Sequence, residues 1–201
     1  MDNNENLKLK PIKKQRVTLT IKSTSPMIQH NWDEKAARMM LERKQGRKTK
    51  DREDCDPEAE FKAAMYLTAD GKHAIPGMAL KSAIISAAHK DVGIEKTWVR
   101  KALFLVCAPD MMIPIQCDPP RMRQDHVKVG MSSADLRFRP EFATWSADVT
   151  FEIDAELLRV EDLLNLIDRA GVGTGIGDWR PEKDGEHGRF CVDQDRPVRV
   201  E

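Results

Sequence analysis

Long apolar runs are missing from this 201-residue chain, and none approaches the ~20 residues that a membrane-spanning helix needs. The N-terminal stretch MDNNENLKLKPIKKQR has neither the apolar run nor the small-residue cleavage site of a secretory signal. Cysteine is scarce and scattered. Cys55, Cys107, Cys117 and Cys191 form no CxxC pair and no framework spacing, the usage of reduced thiols in a cytoplasm rather than of a disulfide scaffold. Aromatic residues make up 5% of the chain, with a single tyrosine, so ring stacking is not the main source of affinity for any partner. An excess of one charge is also lacking. Lys+Arg and Asp+Glu both total 33, which excludes a uniformly basic nucleic-acid binder. The histidines (His30, His73, His89, His126, His187) show no HExxH, no HxH and no cysteine at ligand spacing, so neither a metal nor another cofactor is expected.

What is present is a 40% hydrophobic content, enough for a core, and 33% charged residues that are unevenly placed. Residues 8–16 carry five positive charges and no acid, and residues 43–50 carry another five. Residues 152–168 carry six acids against Arg159 alone. Such a chain is able to grip a polyanion on one side and stay dissolved, although a charge run is as often simply a solvated face. The Gly, Gln and Thr spacing in 43–50 reads as a loop.

Val17, Leu19 and Ile21 alternate, which predicts a strand over 16–22, ended by Ser25-Pro26. Ala36/Met40 and Ala37/Leu41 predict a helix over 33–45, leading into polar residues, so that 33–59 reads as a basic insertion. Asp70-Gly71 predicts a hairpin over 65–75, and Pro76-Gly77 opens a helix over 78–90. Residues 98–107 and 111–116 read as core strands. Residues 117–140 read as a second inserted loop, in which 121–139 set Arg121, Arg123, Lys128, Arg137 and Arg139 against two acids. Ala147, Val149, Phe151 and Ile153 predict a strand, and Val160, Leu163, Leu164 and Ile167 a helix over 160–170. The order predicts one α+β domain over 1–201, with helices on one face of an antiparallel sheet.

Six of the eleven glycines fall between Gly171 and Gly188. Glycine lets another backbone come close, and successive free N–H groups in such a loop form a nest for phosphate oxygens. The segment follows a helix and leads to a strand, which is the wrong order for a dinucleotide fingerprint, and it holds no Gly-Lys-Ser/Thr. A glycine-rich turn without a ligand is the lesser alternative. Within the loop, Trp179 either stacks on a base or packs over the open side, and Arg180 is placed to grip phosphate.

A helix followed by a G-x-G…G-x-G-x-F loop and a closing strand resembles the signature of the RAMP superfamily of CRISPR-associated proteins. Ile75-Pro76-Gly77-Met78-Ala79-Leu80-Lys81-Ser82 resembles the Ile-Pro-Gly-Ser-Ser-Leu-Lys-Gly with which backbone subunits of CRISPR effector complexes enter their first helix. Met78 and Ser82 are departures from it, and Thr24-Ser25-Pro26-Met27-Ile28 is a weaker third match. The resemblance implies a ferredoxin-like or RRM-like β-α-β-β-α-β fold elaborated by inserted loops. It also implies single-stranded RNA, or single-stranded DNA, lying along a basic groove, with copies or other effector subunits stacked head to tail. Carried onto this chain, it nominates Lys81, the loop glycines Gly173, Gly175 and Gly177, and Arg43, Lys44, Arg47 and Lys48 as nucleic-acid contacts.

An enzyme reading rests on weaker candidates. In processing endoribonucleases of the same superfamily a histidine acts on a 2′-hydroxyl, which nominates His30 and His73; some backbone subunits carry a cleaving aspartate after the first strand, which nominates Asp33. Asp33 is equally explained as the N-cap of a helix. A third reading is a protein of phage or mobile-element origin that uses the fold to cap or mimic a filament.

Overall fold

The computed structural model describes residues 11–31, 41, 44–46, 56–129 and 133–201. The expected helix over 33–45, most of the 33–59 insertion, and Asp33, Arg43, Arg47 and Lys48 with them, lie outside the described residues.

Four strands make the main path of the six-stranded central sheet: β1 (Lys14–Ser23), β4 (Leu103–Val106), β9 (Trp145–Asp154) and β10 (Phe190–Val192). All pair antiparallel in the order β10-β1-β9-β4. Helix α2 (Gly77–Val92) connects β1 to β4, and α4 (Val160–Arg169) connects β9 to β10. Numbered along the chain, the strands therefore lie 4-1-3-2, the β-α-β-β-α-β arrangement of a ferredoxin-like unit. The fold is α+β, as expected. Val17 stands opposite Phe151 and Leu19 opposite Val149 in the longest register of the sheet. Their shared face packs against Leu80 and Ile84 of α2 and Leu163 and Ile167 of α4, all almost free of solvent. Each such side chain contributes about 1.5–3 kcal/mol by leaving water.

The opposite face of the sheet is polar and paired with itself. Thr18 and Thr150 hydroxyls meet at 3.0 Å, Thr20 Oγ1 donates to Asp148 Oδ1 at 2.5 Å, and Lys22 Nζ lies 2.7 Å from Asp193. Phe104 of β4, opposite Glu152, is exposed on this face at its edge, a single ring rather than the aromatic platform by which many sheets of this topology stack bases.

The Asp70-Gly71 turn forms as expected: Gly71 N donates to Thr68 O and Thr68 N to Lys72 O, both at 2.9 Å. The hairpin it closes is reduced to one bridge, Leu67 to His73, before β3 (Ala74–Pro76) pairs with β5 (Met112–Pro114). Two expectations fail. Residues 98–102 are not strand: α3 (Lys96–Ala102) buries Val99 and Ala102 on one side, and β4 starts only at Leu103. Nor is 117–140 a loop. β6 (Gln116–Cys117) pairs with β9, and β7 (Arg121–Val129) and β8 (Ser133–Phe142) form a long antiparallel ribbon that is extended by β2 (Met27–Ile28). A short helix α1 (Pro57–Ala63), capped by the Asp56 carboxylate, packs on this ribbon. The last strand, β11 (Arg199–Val200), returns to β1 beside β10. Among the described residues no helix is long and apolar enough to cross a membrane.

Candidate nucleic-acid interface

The start of α2 is shaped by its sequence. Pro76 supplies an extended N-cap residue, and Gly77 N donates to Met111 O at 2.7 Å. No side chain caps the helix and no acid occupies its first turn, so the positive end of its dipole is left uncompensated. Beside this turn lies a groove of about 440 Å³ lined by Met78, Lys81, Ser82, Ser86, Lys96 and Arg100. Among the described residues no carboxylate pairs with Lys81, Lys96 or Arg100. Burial, and then the nearby Arg100, lower the Lys81 ammonium below its ordinary pKa, as expected where positive charge gathers without a counter-charge. Lys81 Nζ sits 5.2 Å from the centre of the half-exposed Phe104 ring at the edge of the sheet. The groove is closed by a contrasting pair. Glu182 accepts from Lys90 and Ser86, each at 2.9 Å, and these bonds with that from Arg180 hold its carboxyl down to about 2. Lys90 is thus neutralised while the three groove cations are not.

Lys81 was nominated from the sequence; Arg100 was missed because 98–107 read as strand, and Lys96 because it stood ahead of that segment in no expected element. Their i,i+4 spacing on a helix was the available signal. Lys44 is exposed.

The glycine loop corrects the expectation of an open nest. Helix α4 runs into a π turn over Ala170–Thr174, whose end is closed by Gly175 N donating to Ala170 O at 2.8 Å. Ile176 N donates to Gly188 O, Asp178 N to Ile28 O and Gly188 N to Pro26 O. These amides are spent inside the protein, so the Gly175 side of the loop presents no free row of donors to a phosphate. The glycines serve close approach instead. At Gly177, φ is 80° and a Cβ would overlap the Ile28 carbonyl oxygen; at Gly188, φ is 71° and a Cβ would overlap that of Ile176. Of the three nominated glycines only Gly173 has room for a Cβ, in ordinary contact with Asp91 Oδ2 at 3.4 Å.

Trp179 takes the packing role rather than the open stacking one. Two guanidinium groups lie over its ring, with the Arg123 and Arg139 carbons 4.9 and 4.8 Å from ring centroids. Arg139 is almost wholly buried and donates to Asp125 Oδ2 and Asp178 Oδ2, both at 2.6 Å. Arg123 bridges Asp125 and Glu141, and Arg121 also pairs with Glu141. Of the arginines that read as contact residues on a loop, Arg139 is the ionic fastening between the β7–β8 ribbon and the glycine loop, and Arg121 and Arg123 pair within the ribbon. Arg180 is likewise engaged, donating to Gly177 O at 3.1 Å and to Glu182 at 3.2 Å.

Of the weak catalytic candidates, Asp33 lies outside the described residues, and His30 and His73 have different partners. Arg137 Nη1 donates to His30 Nε2 at 3.1 Å, whereas the His73 ring packs edge-on against Phe142. Burial lowers the His30 pKa, with Arg137 adding to it. Among the described residues no three His, Cys, Asp or Glu side chains gather so as to hold a metal ion. Cys107, Cys117 and Cys191 are free thiols, each raised in pKa first by burial.

No family model matches the sequence, and no curated protein matches it. Among solved structures it is similar to the crystal structure of Cmr6 from Pyrococcus furiosus. The two share 12% identity over 91% of this chain and 100% of that one, with a TM-score of 0.43, a likeness too slight to bear on function.

Proposed function

We propose that this protein binds single-stranded nucleic acid, RNA before DNA, by its sugar–phosphate backbone, and that copies or partner subunits of a CRISPR-type complex assemble along the strand. The observation that carries the reading is the groove at the first turns of α2, where Lys81, Lys96 and Arg100 converge without a carboxylate and beside an uncapped helix end. A ligand with regularly spaced negative charge satisfies all of these at once. Phosphate gripping of this kind is insensitive to base sequence. The RAMP-like motifs support it, because Lys81 falls within one of them. They also support the assembly and the choice of RNA. The same resemblance nominates Gly173 and the basic residues Arg43, Lys44, Arg47 and Lys48 as further contacts of the strand.

The test is the salt dependence of binding to a fluorescent RNA strand, read by anisotropy. Each neutralised phosphate adds about −0.7 to the slope of log K against log[salt], so three groove cations give a slope of about −2 or steeper. Lys81→Gln and Arg100→Gln should each flatten it by about 0.7 and leave the ranking of different sequences unchanged. A flat salt dependence in the unsubstituted protein refutes the reading and favours a protein ligand.

A further inference from the structure

A second groove, of about 540 Å³, opens in the helical layer between α4 and the corner that joins α2 to α3, with walls of Val92, Ile94, Trp98, Leu157 and Leu166. Val92 and Leu157 are 48% and 42% exposed, so this apolar surface is uncovered. The polar residues that line it are Asp162, Asn165, Asp168 and Arg169, and none of them is buried. Asp162 already pairs with Arg159 at 2.8 Å, and Asp168 Oδ1 accepts from Val192 N at 2.7 Å. The groove therefore lacks the convergent polar groups that orient a small molecule. Its surroundings have a sign. The segments that build it, 91–98 and 154–169, carry seven acids against Lys96, Arg159 and Arg169. Glu156 and Glu161, which neighbour the lining residues Leu157 and Asp162, are exposed. Apolar side chains alternating with cations are the complement of such a surface.

A segment of that kind adjoins the groove in the chain itself. Lys14 stands opposite Asp154 at the start of β1, and Lys13 O accepts from Ala155 N at 2.8 Å. Leu157, two residues past Ala155, is within about 7 Å of that junction. Residues 1–10, which lead to the same junction, lie outside the described residues. They end in Leu7-Lys8-Leu9-Lys10, and no acid occurs from residue 6 to residue 16. Leu7 and Leu9 share the odd numbering of Val17, Leu19 and Ile21, the side of β1 that packs against α2 and α4. At no more than about 3.6 Å per residue, Leu9 reaches up to about 14 Å from Lys13, and Leu7 up to about 22 Å.

We infer that Leu7 and Leu9 of the chain's own N-terminal segment seat in this groove, with Lys8 and Lys10 turned to its acidic rim. The segment of a second copy has to displace one that a short tether keeps at roughly millimolar effective concentration. The inference does not depend on strand binding. It gives the basic stretch ahead of β1 a use other than nucleic acid, because its first charges are held by the protein's own acidic side.

The experiment times trypsin cleavage after Lys8 in the full chain by mass spectrometry, at a protease level low enough for the rate to follow the undocked fraction. The reference is the double variant Val92→Gln, Leu157→Gln, which makes two exposed walls polar and adds no charge. Cleavage of the unsubstituted protein should be about tenfold slower than that of the double variant, as for a segment undocked about a tenth of the time. Leu7→Gln, which leaves the groove untouched, should speed cleavage as well. Thermal melting checks folding, and Val92→Gln alone serves where the pair lowers the melting temperature. Protection that is independent of protein concentration and lost in both kinds of variant upholds the docking. Equal rates throughout overturn it. Loss of protection in Leu7→Gln but not in the groove variant places the segment elsewhere and overturns it too. Protection that fades on dilution gives the groove to a second copy, and release of the segment by added RNA gives the lysines to the strand; either result overturns docking within one chain.

Discussion

Arg139→Met replaces a buried cation by an apolar side chain of similar length, and its cost follows from what the guanidinium holds. The Arg139 side chain is 2% exposed, and its two 2.6 Å bonds end on Asp125, itself 5% exposed, and Asp178, 36% exposed. Removing one partner from a buried ion cluster costs about 3–5 kcal/mol, because the charge left behind has lost its water as well as its counter-ion. Two features place this case at the lower end. Asp125 keeps Arg123 on its other oxygen at 2.7 Å, and Asp178 is open enough to regain water. The expected loss is therefore about 3 kcal/mol. Urea unfolding followed by far-ultraviolet circular dichroism measures it without relying on Trp179 emission, which the substitution also changes. Adding Asp125→Asn to Arg139→Met removes the stranded charge and should restore part of the loss. A single substitution costing under about 1 kcal/mol, or a double variant no more stable than the single, refutes the claim that this cluster fastens the ribbon to the loop.

Gly188→Ala should cost about 3 kcal/mol, since φ is 71° and the added Cβ overlaps the Ile176 carbonyl oxygen. At this chain length that lowers the melting temperature by roughly 6–12 °C, and an unchanged melting curve would contradict the loop geometry. Acidification should destabilise in two windows. The His30 and His187 pKa values both lie below the ordinary histidine value of 6.5 in the folded state, through burial first, so below about that pH the unfolded chain takes up protons that the folded one refuses, and stability falls. The Lys90, Ser86 and Arg180 bonds to Glu182 then give stability that is present above 4.5 and lost as pH falls towards about 2. Unfolding free energy measured against pH checks both, and His30→Gln should reduce the first fall.

How much of this was legible in the sequence depended on which residues carried the period. β1 and β9 were readable because Val17, Leu19, Ile21 and Ala147, Val149, Phe151 alternate against polar neighbours, and α4 because Leu163 and Ile167 recur at helical spacing. The β7–β8 ribbon was not. Its alternation is written in charge: Arg121, Arg123 and Asp125 on one strand, Arg137, Arg139 and Glu141 on the other, a period of two that hydropathy does not register. Burial of Arg139 depends on Asp178, which is distant in sequence, and no local pattern announces it. The same holds for the groove. Lys81 stood in a motif, whereas Lys96 and Arg100 gain meaning only once α3 is folded against α2. His30 was singled out as a candidate acid or base, but its tautomer is fixed by Arg137, which lies in the segment taken for a loop.

The pairing of β1 has a consequence for how the chain comes to be folded. β1 joins β9 through pairs such as Val17 with Phe151, and β10 and β11 through Ile21 with Val192 and Val17 with Val200. Every ladder of the first-made strand is therefore closed by residues synthesised at least a hundred positions later. Such long-range closure makes folding slow relative to helix-rich proteins of the same size. During synthesis, Val17, Leu19 and Ile21 wait as an unpaired apolar edge, the kind of segment that seeds aggregation. The lysines and arginine that bracket it, Lys13, Lys14, Arg16 and Lys22, then act as gatekeepers, repelling a second nascent copy until β9 leaves the ribosome.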